Sequence, residues 1–180
     1  MMNGVEIYSV EASHHTLLPL ARKKNSPITA RGARTNLLGQ SLSNNVVIDF
    51  TKHMNQITEI EDDYVVVEDR ELRRKVKFLP PDPASSNYCT IGGMIANNSS
   101  CPHGLVYDST IDFLEAVNVV YADGSYGYLS EKNSCEERTT NLLKLLPYVN
   151  VIQSGYPQVK KNSCGYRLDA VLSDKGLLST

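Results

Sequence analysis

Arg31 and Arg34 stand three apart in the stretch Ile28-Thr29-Ala30-Arg31-Gly32-Ala33-Arg34-Thr35-Asn36-Leu37-Leu38-Gly39-Gln40, where a β-type tripeptide runs into a small-residue turn. Such a turn can wrap an anion. Gly32 and Ala33 let the backbone approach a ligand closely, successive N–H groups can converge on phosphate oxygens, and the two guanidinium groups add charge-assisted donors. Taken by itself the segment also reads as a solvated loop that happens to carry two arginines.

A second stretch changes that balance. From Pro80 the chain reads Pro80-Pro81-Asp82-Pro83-Ala84-Ser85-Ser86-Asn87-Tyr88-Cys89-Thr90-Ile91-Gly92-Gly93-Met94-Ile95-Ala96-Asn97-Asn98-Ser99-Ser100. The prolines impose an extended approach, and residues 90–97 can continue as a short helix opened by the glycine pair. Together with RGARTNLLGQ, VVIDFTKHMNQI (residues 46–57) and NSCGYRLDAVLS (residues 162–173), this stretch resembles the FAD-binding domain of FAD-linked oxidases of the p-cresol methylhydroxylase and vanillyl-alcohol oxidase type. Within that family it is similar to the glycolate oxidase subunit and D-lactate dehydrogenase branch. The resemblance runs from about Val5 to the last residue.

The resemblance implies how a flavin is held. The pyrophosphate would lie on Arg31, Gly32, Ala33, Arg34, Thr35 and Asn36, with Gly39 and Gln40 completing the loop. Asp82, Pro83, Ala84 and Ser85 together with Thr90, Ile91, Gly92 and Gly93 would form the second wall, and Asn97, Asn98, Ser99 and Ser100 would approach the ribityl and isoalloxazine end. Some relatives bind flavin covalently through a histidine on the first loop; Thr35 stands at that position, so non-covalent FAD is expected. Arg34 and Cys101 replace residues that are commonly glycine, and a side chain at either place can crowd the cofactor or force a different φ. By the same resemblance the complete protein oxidises a small 2-hydroxy acid and has an iron–sulfur electron-transfer partner. The groups that remove the hydroxyl proton and bind the carboxylate belong to a cap domain, so no catalytic residue is assigned here.

In the family a glycine-rich segment and that cap follow the final helix, and the crossover between Glu68 and Phe78 is longer. The expected fold is therefore an α/β (α+β), two-lobed FAD-binding domain of the p-cresol methylhydroxylase type, incomplete at its C-terminal end. Residues 1–68 would make a βαβ lobe and residues 69–180 a truncated second lobe. Two readings stay open: a fragment of an FAD-linked oxidoreductase that purifies mostly colourless, or a non-catalytic remnant or interaction subunit that keeps the fold without functional FAD.

Composition fits a soluble globular domain. The 180 residues are 41% hydrophobic and 21% charged, and a net charge of −2 gives no reason to expect nucleic acid or an anionic membrane as partner. Neither a transmembrane run nor a secretory signal is present in the sequence, so a cytoplasmic protein is expected, or one held at the inner membrane through partners. Cys89, Cys101, Cys135 and Cys164 form no C-x-x-C pair, so no metal is expected and all four thiols should be reduced. The pair His14-His15, His53 and His103 read as surface residues. Asn97 and Asn98 each begin a glycosylation sequon that means nothing without a secretory signal.

Hydrophobic periodicity supplies the frame for these motifs. Residues 5–10 alternate as a strand, 11–25 carry helical spacing spoiled by Pro19, and 28–30 and 46–50 complete a parallel βαβ unit. Runs 56–61 and 64–68 are expected to form a hairpin, and 70–77 a basic helix with a solvated face. A long β run over 113–122 should pair back with 126–129 across the turn Ala122-Asp123-Gly124-Ser125. Residues 135–148 place Leu142, Leu143, Leu145 and Leu146 at core spacing, and 165–173 should end the chain as a helix.

Overall fold

A computed structural model describes residues 7–9, 19, 22, 25–54, 56–60, 65–67, 81–100, 106, 108–121, 123–130, 144–159 and 166–171. The chain divides into two compact units, Met1–Tyr107 and Asp108–Thr180.

The first unit is organised on a parallel sheet whose middle strand carries the most apolar sequence. Strands β1 (Ile7–Ser9), β2 (Ile28–Arg31) and β3 (Val46–Asp49) lie in the order β1-β3-β2. Val46 and Val47 are buried, and Val47 pairs with Ile7 on one side and Thr29 on the other. β-Branched side chains with few rotamers to lose suit a strand covered by neighbours on both edges. The parallel unit expected from the sequence is thus present. Of the helix expected over 11–25, Pro19 and Arg22 are helical and the intervening residues lie outside the described ones. Asn25, at φ 48°, donates its N–H to Arg22 O at 3.0 Å, a left-handed stop of the kind Asn tolerates.

Strands β4 (Ile57–Ile60) and β5 (Val65–Val67) pair antiparallel with a bulge between Ile57 and Glu59, which bears out the first hairpin. The basic run 70–77 lies outside the described residues. Helix α1 (Ile91–Ala96) is six residues long and buries Met94. It starts differently from the sequence expectation. Thr90, not the glycine pair, opens it: its Oγ1 accepts the N–H of Gly93 at 3.2 Å, and the glycines sit inside the first turn. At its end Asn98 takes φ 43° and donates to Ile95 O (3.1 Å), while Ser99 donates to Met94 O (2.9 Å), the paired closure of a Schellman motif.

In the second unit a 3₁₀ turn, Thr110–Phe113, precedes strand β6 (Ala116–Val120). The β run was expected to begin at Phe113, and here the structure corrects it. Asp112 accepts the N–H of Ser109 at 2.9 Å and donates its own N–H to Ser109 O at 3.1 Å, which closes a turn where extension was expected. β6 pairs antiparallel with β7 (Tyr126–Ser130) in the expected hairpin. A second correction concerns Leu146, 51% exposed in a 3₁₀ turn, Leu146–Tyr148, with Leu145 half-buried before it. Pro147 cannot continue a helix from the preceding turn, so Leu146 does not join a buried helical face, and Leu142 and Leu143 lie outside the described residues. The helix starts afterwards, as α2 (Val149–Gly155), and a short α3 (Leu168–Val171) falls within the expected final helix. The Tyr156 hydroxyl accepts the N–H of Leu168 at 3.3 Å and so ties the end of α2 to the start of α3. Among the described residues no helix is long and apolar enough to cross a membrane.

Candidate functional site

β2 ends at Arg31, and its parallel pairing with β3 puts that residue level with Asp49. The Arg31 guanidinium donates to Asp49 Oδ2 at 2.9 Å, with the two side chains 10% and 16% exposed. Asp49 also accepts from Thr51, through its backbone N–H at 2.9 Å and its hydroxyl at 2.6 Å. Burial by itself pushes the Asp49 carboxyl upward. The Thr51 hydrogen bonds and Arg31 outweigh it and hold the group below the usual carboxylate range. Among the described residues Arg31 Nε is buried without a hydrogen-bond partner. The first arginine of the loop is therefore a strut between two strand ends.

Beyond it the chain turns sharply. Gly32 faces Thr90, whose Oγ1 lies 2.3 Å from where a Cβ on Gly32 would stand, so only glycine lets the turn sit flush against the start of α1. Thr90 is 2% exposed, fixed by its cap bond. Two residues after Gly32, Arg34 is exposed and takes φ 62°. The arginine thus occupies the left-handed backbone that glycine would adopt, and its side chain has not forced another φ. Among the described residues the backbone N–H groups of Gly32, Ala33, Arg34 and Thr35 have no acceptor. Successive N–H groups without acceptors, with one residue at positive φ, are the ingredients from which an anion-binding turn can be built.

The rest of the loop folds back on itself. With its carboxamide oriented so that both ends are satisfied, Asn36 accepts the N–H groups of Gly39 (3.2 Å) and Gln40 (2.8 Å) and donates to Ser41 Oγ (2.8 Å). Gly39, at φ 80°, makes the bend that brings these groups together. Gln40 then reaches Asn97 Oδ1 at 3.3 Å, and Asn97 in turn donates to Gly93 O at 2.9 Å. The loop and α1 are joined at two places, Gly32 on Thr90 and Gln40 on Asn97.

Of the candidates drawn from the sequence, the structure brings together Gly32, Gln40, Thr90, Gly93 and Asn97. Asp82, Pro83, Ala84 and Ser85 belong to the turn ahead of α1, where Ser85 O accepts from Tyr88 (2.8 Å) and Cys89 (2.9 Å) and Pro83 is buried. Ile91 and Gly92 lie on α1, and Asn98, Ser99 and Ser100 follow it, all but Gly92 half-buried. Cys89 carries a reduced, half-buried thiol; Cys101, Cys135 and Cys164 lie outside the described residues. Among the described residues no group of His, Cys, Asp and Glu is placed to hold a metal ion. Two site residues escaped sequence reasoning, Asp49 and Thr51. A carboxylate closing an apolar strand two residues before a hydroxyl, in a strand parallel to one ending in arginine, was the available signal.

The chain is similar to an oxidase subunit and to two kinds of dehydrogenase. It is 38% identical over 120 residues to the glycolate oxidase subunit GlcD of Bacillus subtilis, a match covering 60% of this chain and 25% of the relative. With the D-2-hydroxyglutarate dehydrogenase of Escherichia coli it shares 28% identity over 170 residues, covering 82% of this chain and 17% of that protein. A D-lactate dehydrogenase of Anaerostipes hadrus is 28% identical over 142 residues, with 72% and 30% covered. The chain thus spans less than a third of the length of each of these relatives. Residues 9–127, which include both walls of the site, match the FAD binding domain family, and the chain belongs to that family.

Proposed function

We propose that this chain is the FAD-binding portion of an FAD-linked oxidoreductase acting on a 2-hydroxy acid such as D-lactate or glycolate. The observation that carries the reading is the donor turn: four unspent backbone N–H groups at 32–35, held against the cap of α1 by a glycine that admits no side chain. Such donors neutralise a buried pyrophosphate that would otherwise be costly to desolvate. The turn 31–36 would hold the pyrophosphate, and Thr90 to Gly93 and Asn97 to Ser100 would line the flavin. FAD supplies the acceptor for a hydride in such enzymes. The chain's own contribution is to bind and orient it.

The names of the relatives support glycolate, D-lactate and 2-hydroxyglutarate as the substrate class. The remaining parts of the reading are a two-lobed domain of the p-cresol methylhydroxylase type divided near residue 68, an iron–sulfur electron-transfer partner, and a cytoplasmic location. A titration of FAD with the purified chain, followed by flavin fluorescence, tests the core of it. Saturable quenching that weakens with salt is expected. Fluorescence that stays unchanged at every protein concentration would overturn the reading in favour of a remnant without cofactor.

A further inference from the structure

The two arginines of the loop are in opposite situations. Arg31 is nine-tenths buried and bound to Asp49, while Arg34 is exposed and, among the described residues, has neither a hydrogen bond nor an ion pair. Arg34 also stands at φ 62°, where an L side chain is strained and glycine is not. Among the described residues the exposed Arg34 side chain makes no hydrogen bond or ion pair that would offset this strain. Local strain persists where the site uses it.

Resting on the FAD reading above, we propose a division of labour: Arg34 is the side chain that donates to the cofactor's pyrophosphate, and Arg31 positions the turn without touching the ligand. The N–H groups on either side of Arg34, those of Ala33 and Thr35, are part of the donor set without acceptors among the described residues, so its side chain springs from the middle of that set. Its planar fork suits two oxygens of a diphosphate. Arg31 cannot take that role while it holds Asp49.

The two effects of removing Arg34 have opposite signs, which makes the idea testable. Arg34→Gly relieves the strain, so the melting temperature of the purified chain should rise by a few degrees. The same variant should bind FAD about 10-fold more weakly and lose part of the salt dependence, because one charge-assisted donor is gone. Arg34→Lys should keep the charge but not the fork, and so part of the affinity and of its salt dependence, with none of the added stability. A wild-type chain that binds FAD beside an Arg34→Gly variant that binds it equally well would overturn this inference and leave the FAD reading standing. A lower melting temperature in Arg34→Gly would overturn it too, by showing a structural role. A wild-type chain that binds no FAD at any salt concentration removes both.

Discussion

The loop-and-helix wall of the first unit and the β6–β7 hairpin of the second solve the same problem, a sharp reversal stabilised by side chains, over very different distances. In the hairpin the turn is closed by contacts between near neighbours in the chain. Tyr121 donates to Ser125 O at 2.9 Å, Asp123 accepts both the N–H and the hydroxyl of Ser125, and Gly124 supplies φ 85°. In the wall the loop is fixed by partners 18 residues away, Arg31 to Asp49, and 57 residues away, Gln40 to Asn97. Local closure makes a turn independent of its surroundings. Distant closure makes a turn whose shape reports on the whole unit, and that is what a ligand site requires if its donors are to be held ready before the ligand arrives.

The sharpest way to break this contrast is Gly32→Ala. Its Cβ would stand 2.3 Å from Thr90 Oγ1 and 3.2 Å from Thr90 Cγ2, and Thr90 is buried and committed to its cap, so the backbone must move. Overpacking of this kind costs about 2–3 kcal/mol, and the displaced turn should lose FAD affinity by more than about 10-fold. Thr90→Ala removes both offending atoms and costs about 1 kcal/mol through the lost cap. If the wall is one joined structure, the double variant should be less destabilised than the two singles added together. Additive losses in denaturant melts would show that Gly32 and Thr90 do not press on each other.

Arg31→Ala ranks next. It leaves the Asp49 carboxylate with Thr51 alone, and losing a charge-assisted bond in a largely buried pair should cost about 2 kcal/mol near neutral pH. The pH dependence separates this from a packing loss. Asp49 is held below the usual carboxylate range in the folded chain, so its contribution is present in full above the unfolded value of about 4 and fades as the pH falls through the lower folded value. The stability gap between wild type and Arg31→Ala should therefore narrow in acid. A gap that stays constant down to the acid unfolding limit would mean that the arginine acts through its alkyl stem.

The same distinction between local and distant contacts decides what the sequence reveals. The β6–β7 hairpin is legible because Ala122-Asp123-Gly124-Ser125 carries its own turn chemistry, and β3 because Val46-Val47-Ile48 is β-branched and apolar throughout. The walls of the site are legible only as motifs. Nothing local states that Gly32 meets Thr90 or that Arg31 is spent on Asp49, since both follow from strand register and from where α1 lands. Phe113 and Leu146 mislead for a related reason. Each continues a hydrophobic pattern, and each is captured by a neighbour, the Asp112 side chain and Pro147, that closes a 3₁₀ turn instead.

The smallest expected effect lies in the hairpin and tests whether its turn is as self-contained as its contacts indicate. Gly124→Ala places a Cβ on a residue at φ 85° and should cost about 1 kcal/mol. Gly124→Asn should cost less, because Asn tolerates left-handed backbone and can hydrogen-bond locally. Hydrogen exchange gives the local readout: amides of residues 116–130 should exchange faster in Gly124→Ala, and less so in Gly124→Asn. The ranking follows from the backbone strain at positive φ, which Asn bears better than Ala. Equal exchange in the two variants would mean that the hairpin is held by its strand pairs, Ala116 with Ser130 through Val120 with Tyr126, and that the left-handed turn is a consequence of the pairing instead of its cause.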